Sequence, residues 1–148
     1  MTTFFSTLLL FYFLYLVIFK FIDRYLRLQL LVSALSVLKM YDPELKLLKQ
    51  ASEDVKYINY RADILYCVGM RYAKLKQFDR ASEFFFTAFT TNRFAFFFKK
   101  EYRLVLQSFV EANKMEEGKK IFHLFLEKAQ KEKKYKKITE PFEKYFSS

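Results

Sequence analysis

Few residues of this 148-residue chain are of types that do covalent or metal chemistry. There is one cysteine, Cys67, and one histidine, His123, so neither a disulfide framework within the chain nor a multi-histidine metal site can be assembled. A thiol–imidazole pair would need Cys67 and His123 brought together from separate segments. Cys67 neighbours positions with core periodicity and behaves by default as a small hydrophobe. His123 follows Phe122 on a helical stretch and reads as a structural or surface residue. The two glycines, Gly69 and Gly118, are too far apart to form a phosphate-cradling loop. Asp42, Asp79 and Glu116 recur at a regular interval, which marks them as turn residues rather than an acid–base pair. The sequence therefore implies no catalytic residue, no metal ligand set and no cofactor.

Charge is the remaining chemistry. Lys and Arg number 26 against 16 Asp and Glu, a net charge of +10. The densest run is Glu127–Lys137, which holds Lys128, Lys131, Lys133, Lys134, Lys136 and Lys137. Such a run is commonly a solvated helix end, and as a contact surface it suits anionic lipid, an acidic protein or RNA. A bilayer nearby makes lipid the more natural of these, and nucleic acid is disfavoured. A second contact candidate is Phe94-Ala95-Phe96-Phe97-Phe98, followed by Lys99 and Lys100. Consecutive rings cannot share one helix face, so Phe94, Phe96, Phe97 and Phe98 either fill a junction between hairpins or meet a partner or membrane interface.

These residues must be positioned by helices. With 20 Phe, 11 Tyr, two Gly and two Pro, the chain lacks the turn chemistry of an all-β fold and is expected to be all-α. Residues 1–22 form an apolar run without charge until Lys20. A helix over 2–22 would be about 31 Å long, the thickness of a hydrocarbon core. No basic flank precedes the run and no small-residue cleavage pattern follows it, so a single transmembrane anchor is expected rather than a signal peptide. Lys20, Arg24, Arg27 and Lys39 lie on its C-terminal side, which places the N-terminus outward and the remainder on the cytoplasmic or equivalent side. With no Gly, Pro or polar linker between Ile22 and Leu28, the span is expected to continue as one helix to about Lys39.

Behind the anchor the sequence repeats. Tyr41-Asp42, Phe78-Asp79 and Met115-Glu116 recur every 37 residues. At that shift Leu28, Leu31, Val32, Leu35 and Leu38 fall over Leu65, Val68, Gly69, Tyr72 and Leu75, then over Tyr102, Val105, Leu106, Phe109 and Ala112. Leu47, Leu48 and Ala51 likewise align with Phe84, Phe85 and Ala88 and with Ile121, Phe122 and Phe125. The first-helix sets have i, i+3, i+4, i+7 spacing and the second-helix sets align at the same shift, so three helical hairpins over 23–131 are expected to stack into a short solenoid. Asp42 and Asp79 are expected to cap second helices, with Pro43 in a first turn. Residues 132–148 are left as a basic tail with a short helix from about Ile138, capped by Thr139 with Pro141 in its first turn.

The middle unit, 62–95, resembles a tetratricopeptide repeat. Leu65, Val68-Gly69, Tyr72, Ala81, Phe85 and Ala88 stand at that family's spacing. Arg93 replaces its usual terminal proline, and Glu44 and Gly118 stand where Ala81 does in the outer units. The resemblance implies a concave surface lined by the first helix of each hairpin, here by Asp63, Tyr66, Met70, Ala73 and Lys74 in the middle unit and by Lys100, Arg103, Gln107 and Glu111 in the third. Tyr66 and Met70 replace the polar clamp of chaperone-binding members, so an amphipathic helix or peptide is the implied ligand. The expected function is a membrane-anchored adaptor for a protein partner. The alternatives are an accessory subunit of a membrane complex, an organellar preprotein receptor by layout, and a membrane-associated RNA-binding factor.

Overall fold

The structure, a computed structural model, describes residues 9, 12, 13, 23–91 and 99–147, and these are helices joined by tight connections, with no strand among them. The expected anchor, 1–22, lies outside the described residues apart from Leu9, Tyr12 and Phe13. Among the described residues no helix is long and apolar enough to cross a membrane. The expectation of one helix running unbroken past Lys20 is corrected at Asp23. Its backbone is extended (φ −53°, ψ 144°), and its carboxylate accepts a hydrogen bond from the Tyr25 N–H at 3.0 Å. A capping aspartate satisfies one of the donors a helix start leaves open, so α1 begins at Arg24 and runs Arg24–Val37.

Six longer elements follow: α2 Tyr41–Glu53, a 3₁₀ segment Val55–Tyr60, α3 Arg61–Lys74, α4 Phe78–Thr91, α5 Tyr102–Glu111 and α6 Met115–Lys131. The chain closes with α7 Lys133–Thr139, a 3₁₀ turn Glu140–Phe142 and α8 Glu143–Phe146. It divides into two compact units, 1–44 and 45–148.

The turns repeat in geometry as well as in sequence. Lys39, Lys76 and Asn113 each take positive φ, at 57°, 58° and 55°. In each, the residue after the positive-φ position bonds five residues back: Met40 N–H to Leu35 C=O, Gln77 to Tyr72 and Lys114 to Phe109, each 2.9 Å. The positive-φ residue itself bonds three back, Lys39 to Ser36, Lys76 to Ala73 and Asn113 to Val110. This is the Schellman arrangement, which satisfies the last carbonyls of one helix while turning the chain into the next. The turns therefore precede Tyr41, Phe78 and Met115. Asp42, Asp79 and Glu116 fall inside the first helical turn that follows, where a carboxylate favours the helix dipole rather than capping it.

In the first unit Leu28 is buried, while Leu31 and Leu38 are exposed. In the second unit the repeat register holds closely. Leu65, Val68 and Tyr72 of α3 are buried, as are Tyr102, Val105, Leu106 and Phe109 of α5. From the second helices come Leu48 and Ala51, then Phe85 and Ala88, then Phe122 and Phe125. Small residues set how closely paired helices approach. A Cβ built on Gly69 would lie 2.6 Å from Phe85 Cδ1, and one on Gly118 would lie 2.8 Å from Phe109 Cβ. Gly118 thus supplies the close contact that Ala81, itself fully buried, supplies one repeat earlier.

Rings fill the remaining space. Tyr66, Phe89, Tyr102 and Phe125 form a chain with centroids 5.1 to 6.3 Å apart, mostly edge-to-face. Removing one such ring from water stabilises by about 1.5–3 kcal/mol, and favourable ring pairs add about 0.5–1.5 kcal/mol. Lys49 of α2 stands over the Tyr72 ring at 5.1 Å, and Tyr72 stacks on Phe84 at 5.6 Å. Lys114, in the turn between α5 and α6, reaches α4 through the Asp79 carbonyl at 3.2 Å and the Glu83 carboxylate at 3.1 Å. Residues 132–148 are not a solvated tail. Tyr135, Ile138, Thr139, Phe142 and Phe146 are buried, and α7 packs on both α6 and α5. The helix expected from Ile138 starts instead at Lys133. The Thr139 hydroxyl bonds back to the Lys136 carbonyl at 3.2 Å.

Candidate functional site

The second unit contains a cleft of about 500 Å³ between the start of α5 and α7. Its position follows from two buried tyrosines. Tyr102, the first residue of α5, stacks on Phe125 at 5.1 Å with the ring planes 12° apart. Tyr135 of α7 lies 6.1 Å from Phe125 and 6.4 Å from Tyr102, so both helices are pinned to one aromatic core. Burial raises the pKa of each of these phenols above the ordinary tyrosine value, because an ionised ring oxygen would be held away from water. The same holds for Tyr66.

With Tyr102 and Tyr135 turned inward, their neighbours turn outward. Lys100 and Arg103 flank Tyr102, and Lys133, Lys134 and Lys137 line the cleft from α7 together with the buried Ile138. Lys134 bonds the Glu132 carboxylate at 2.7 Å. Among the described residues no carboxylate lies within ion-pair distance of Lys100, Arg103, Lys133 or Lys137. Lys133 and Lys137 are one helical turn apart, and like charges so spaced cost a helix about 0.2–0.5 kcal/mol. The arrangement places a surplus of N–H donors and positive charge around a partly apolar hollow. It has what is needed to hold an anion attached to an apolar body.

Other sequence-derived candidates are dispersed. Of the expected groove residues, Tyr66, Met70, Lys74 and Gln107 do not line the cleft, whereas Lys100 and Arg103 do. Tyr66 is 5% exposed and sits among Phe85, Phe89 and Tyr102, with Lys99 over its ring at 4.4 Å, so it does not face an open groove. Met70 is half-buried, and Lys74 and Gln107 are exposed. In the lysine run, Lys128 is half-buried with its Nζ 5.7 Å from the Tyr135 ring, and its pKa is lowered by that burial. Lys131 is exposed at the end of α6, and Lys136 points to Glu140 at 3.9 Å. Phe94, Phe96, Phe97 and Phe98 lie outside the described residues. Cys67 and His123 are both exposed. Among the described residues no three metal-ligating side chains converge.

Sequence reasoning placed Arg103 and the lysine run in separate surfaces, and it missed Ile138 as a lining residue. The signal was available: Tyr135, Ile138 and Phe142 have core spacing of i, i+3 and i+7, which turns Lys133, Lys134 and Lys137 away from the core. Compared with protein-family models, with curated proteins and with solved structures, the chain matches none.

Proposed function

We propose that this chain is a membrane-anchored helical-repeat adaptor, with residues 1–22 as a single-pass anchor and three tetratricopeptide-like hairpins behind it. The observation that carries the reading is the recurrence of one turn geometry at Lys39, Lys76 and Asn113, each 37 residues from the next. A chain that repeats the same helical pair builds an extended surface for a partner rather than an enclosed reaction site. The apolar run 1–22 and the basic residues after it support membrane attachment with the hairpins on the cytoplasmic or equivalent side. The partner is a helix, a peptide or a subunit of a membrane complex.

The test is crosslinking of the full chain in its native membrane, followed by alkaline carbonate extraction and identification of the crosslinked protein. The expected result is retention of the chain in the carbonate pellet and one dominant partner. Release into the supernatant overturns the anchor, and crosslinks scattered over many abundant proteins overturn the adaptor.

A second reading, a permanently packed accessory subunit, is favoured by the apolar side chains exposed on and just after α1. Leu26, Leu30 and Leu31 are each nearly half exposed, and Val37 is 81% exposed. That reading predicts a partner that does not exchange when tagged and untagged chains are mixed in mild detergent, whereas the adaptor exchanges.

A further inference from the structure

We propose that the cleft between α5 and α7 seats the phosphate-bearing headgroup of an anionic phospholipid at the membrane surface. The proposal rests on the membrane-anchored reading above and adds the ligand of one site to it. Five cations line one hollow, and four of them lack a carboxylate partner among the described residues. Such a cluster is held together against its own repulsion, so an anion entering it gains several favourable contacts at once. A phosphate diester offers oxygens to several lysines simultaneously, and Arg103 can approach such oxygens as a two-pronged donor. Clusters of this size beside a membrane draw anionic lipid at about 1 kcal/mol per cation near the surface.

The hollow also carries an apolar element that a free inorganic anion does not need. Ile138 is part of its lining, and Lys133, Lys134 and Lys137 bring methylene stems that can cover apolar carbon. A phospholipid matches this division, with charge at the rim and glycerol and upper acyl carbons against the stems. An acidic peptide would satisfy the rim but carries backbone N–H and C=O groups. The lining gives those groups little to bond besides the same ammonium donors. Tyr135 and Tyr102, buried directly behind the two walls, keep the cations in place without taking part in binding.

The experiment uses the full chain in lipid nanodiscs and reads the rate of lysine acylation residue by residue by mass spectrometry. Discs of phosphatidylcholine are compared with discs that also contain phosphatidylserine. Lys46 and Lys76, both exposed and outside the cleft, serve as internal references. Phosphatidylserine should slow acylation of Lys100, Lys133 and Lys137 about fivefold relative to the references, the ratio that corresponds to one surface cation engaging anionic lipid. The Lys133→Gln, Lys137→Gln double variant should lose the protection of Lys100 while keeping its helical circular dichroism, because both side chains point outward.

Equal slowing of cleft and reference lysines overturns the proposal. Protection in phosphatidylcholine discs by inorganic phosphate alone reassigns the cleft to a soluble phosphate compound and overturns it too. Stronger protection by a polyglutamate peptide than by phosphatidylserine assigns an acidic protein instead and is a third refutation. Retention in pure phosphatidylcholine discs reports the anchor separately. If the chain does not stay in them the anchor reading fails, and lysine protection by added phosphatidylserine vesicles still decides the cleft.

Discussion

Changing Gly69 to alanine sets two magnitudes of opposite sign against each other. Gly69 lies inside α3, where alanine is favoured over glycine by about 0.8–1 kcal/mol from backbone entropy alone. If nothing stood opposite, Gly69→Ala would stabilise the fold by that amount. The new Cβ, however, would lie 2.6 Å from Phe85 Cδ1, 2.7 Å from Cε1 and 3.2 Å from Cγ. Carbon atoms settle at about 3.5–4.0 Å, so the ring or the helix must move by nearly an ångström. Phe85 is fully buried, with the Tyr66 ring centroid 5.9 Å away, which leaves its ring no free space to turn into. Overpacking of this kind costs about 1–3 kcal/mol, and subtracting the helix gain leaves a net loss of about 0–2 kcal/mol. The assay is urea unfolding of the purified full chain in mild detergent, followed by circular dichroism at 222 nm. A lower midpoint with unchanged slope is expected, and the same substitution should cost less in a Phe85→Leu background. A Gly69→Ala variant more stable than the parent by the full helix gain would refute the close packing of α3 on α4.

Three further outcomes follow from the same structure. Lys76→Gly should stabilise by about 0.5–1 kcal/mol, because lysine at φ 58° incurs a left-handed cost that glycine avoids; Asn113→Gly should gain less, since asparagine tolerates that conformation, and thermal melts compare the two. Stability should fall as pH rises above about 10, where an unfolded tyrosine ionises while Tyr66, Tyr102 and Tyr135 keep their protons in the fold. Their pKa values are raised, so this contribution is complete below pH ~10 and is lost as pH climbs through the raised values. Urea midpoints taken across that range should drop less steeply in a Tyr66→Phe variant, by about 1.4 kcal/mol per pH unit. Lys114→Met should cost about 0.5–1 kcal/mol by removing the bonds to Asp79 and Glu83, and should lose most of that cost at high salt when Glu83 is also replaced by Gln.

The second and third hairpins were legible because burial imposes a period on sequence, whereas Leu31 and Leu38 of the first helix are exposed at the repeat positions that should be buried. Leu65, Val68 and Tyr72, and Tyr102, Val105 and Phe109, face inward as their spacing requires. The 37-residue interval also located the turns to within a few residues. Their geometry was not legible, since lysine and asparagine at Lys39, Lys76 and Asn113 are not the glycines that usually announce a left-handed cap. The helix start at Asp23 was hidden for a similar reason: the residue reads as one more charge unless its capping role is weighed. Gly118 looked like a departure from the repeat, whereas contact with Phe109 makes it the small residue that position needs. Tyr66 misled in the other direction. Its place in the repeat pointed to an exposed face, but rings contributed by α4 and α5 close over it. The cleft itself joins Arg103 to Lys133, Lys134 and Lys137 from distant stretches of the chain, and no local pattern encodes such a meeting.

Three turns of one geometry also constrain how this chain can change its length. Adding a single residue within a helix rotates every later side chain by about 100° around the axis, which would carry Phe85 or Phe122 out of the core. Removing a stretch that begins after Lys39 would be no gentler if it ended anywhere but at the matching point of the next turn. An excision running from just after Lys39 to just after Lys76 instead rejoins a left-handed residue to the start of a second helix. It keeps both capping hydrogen bonds. Changes of length by this route come as whole helical pairs, a step of 37 residues at a time.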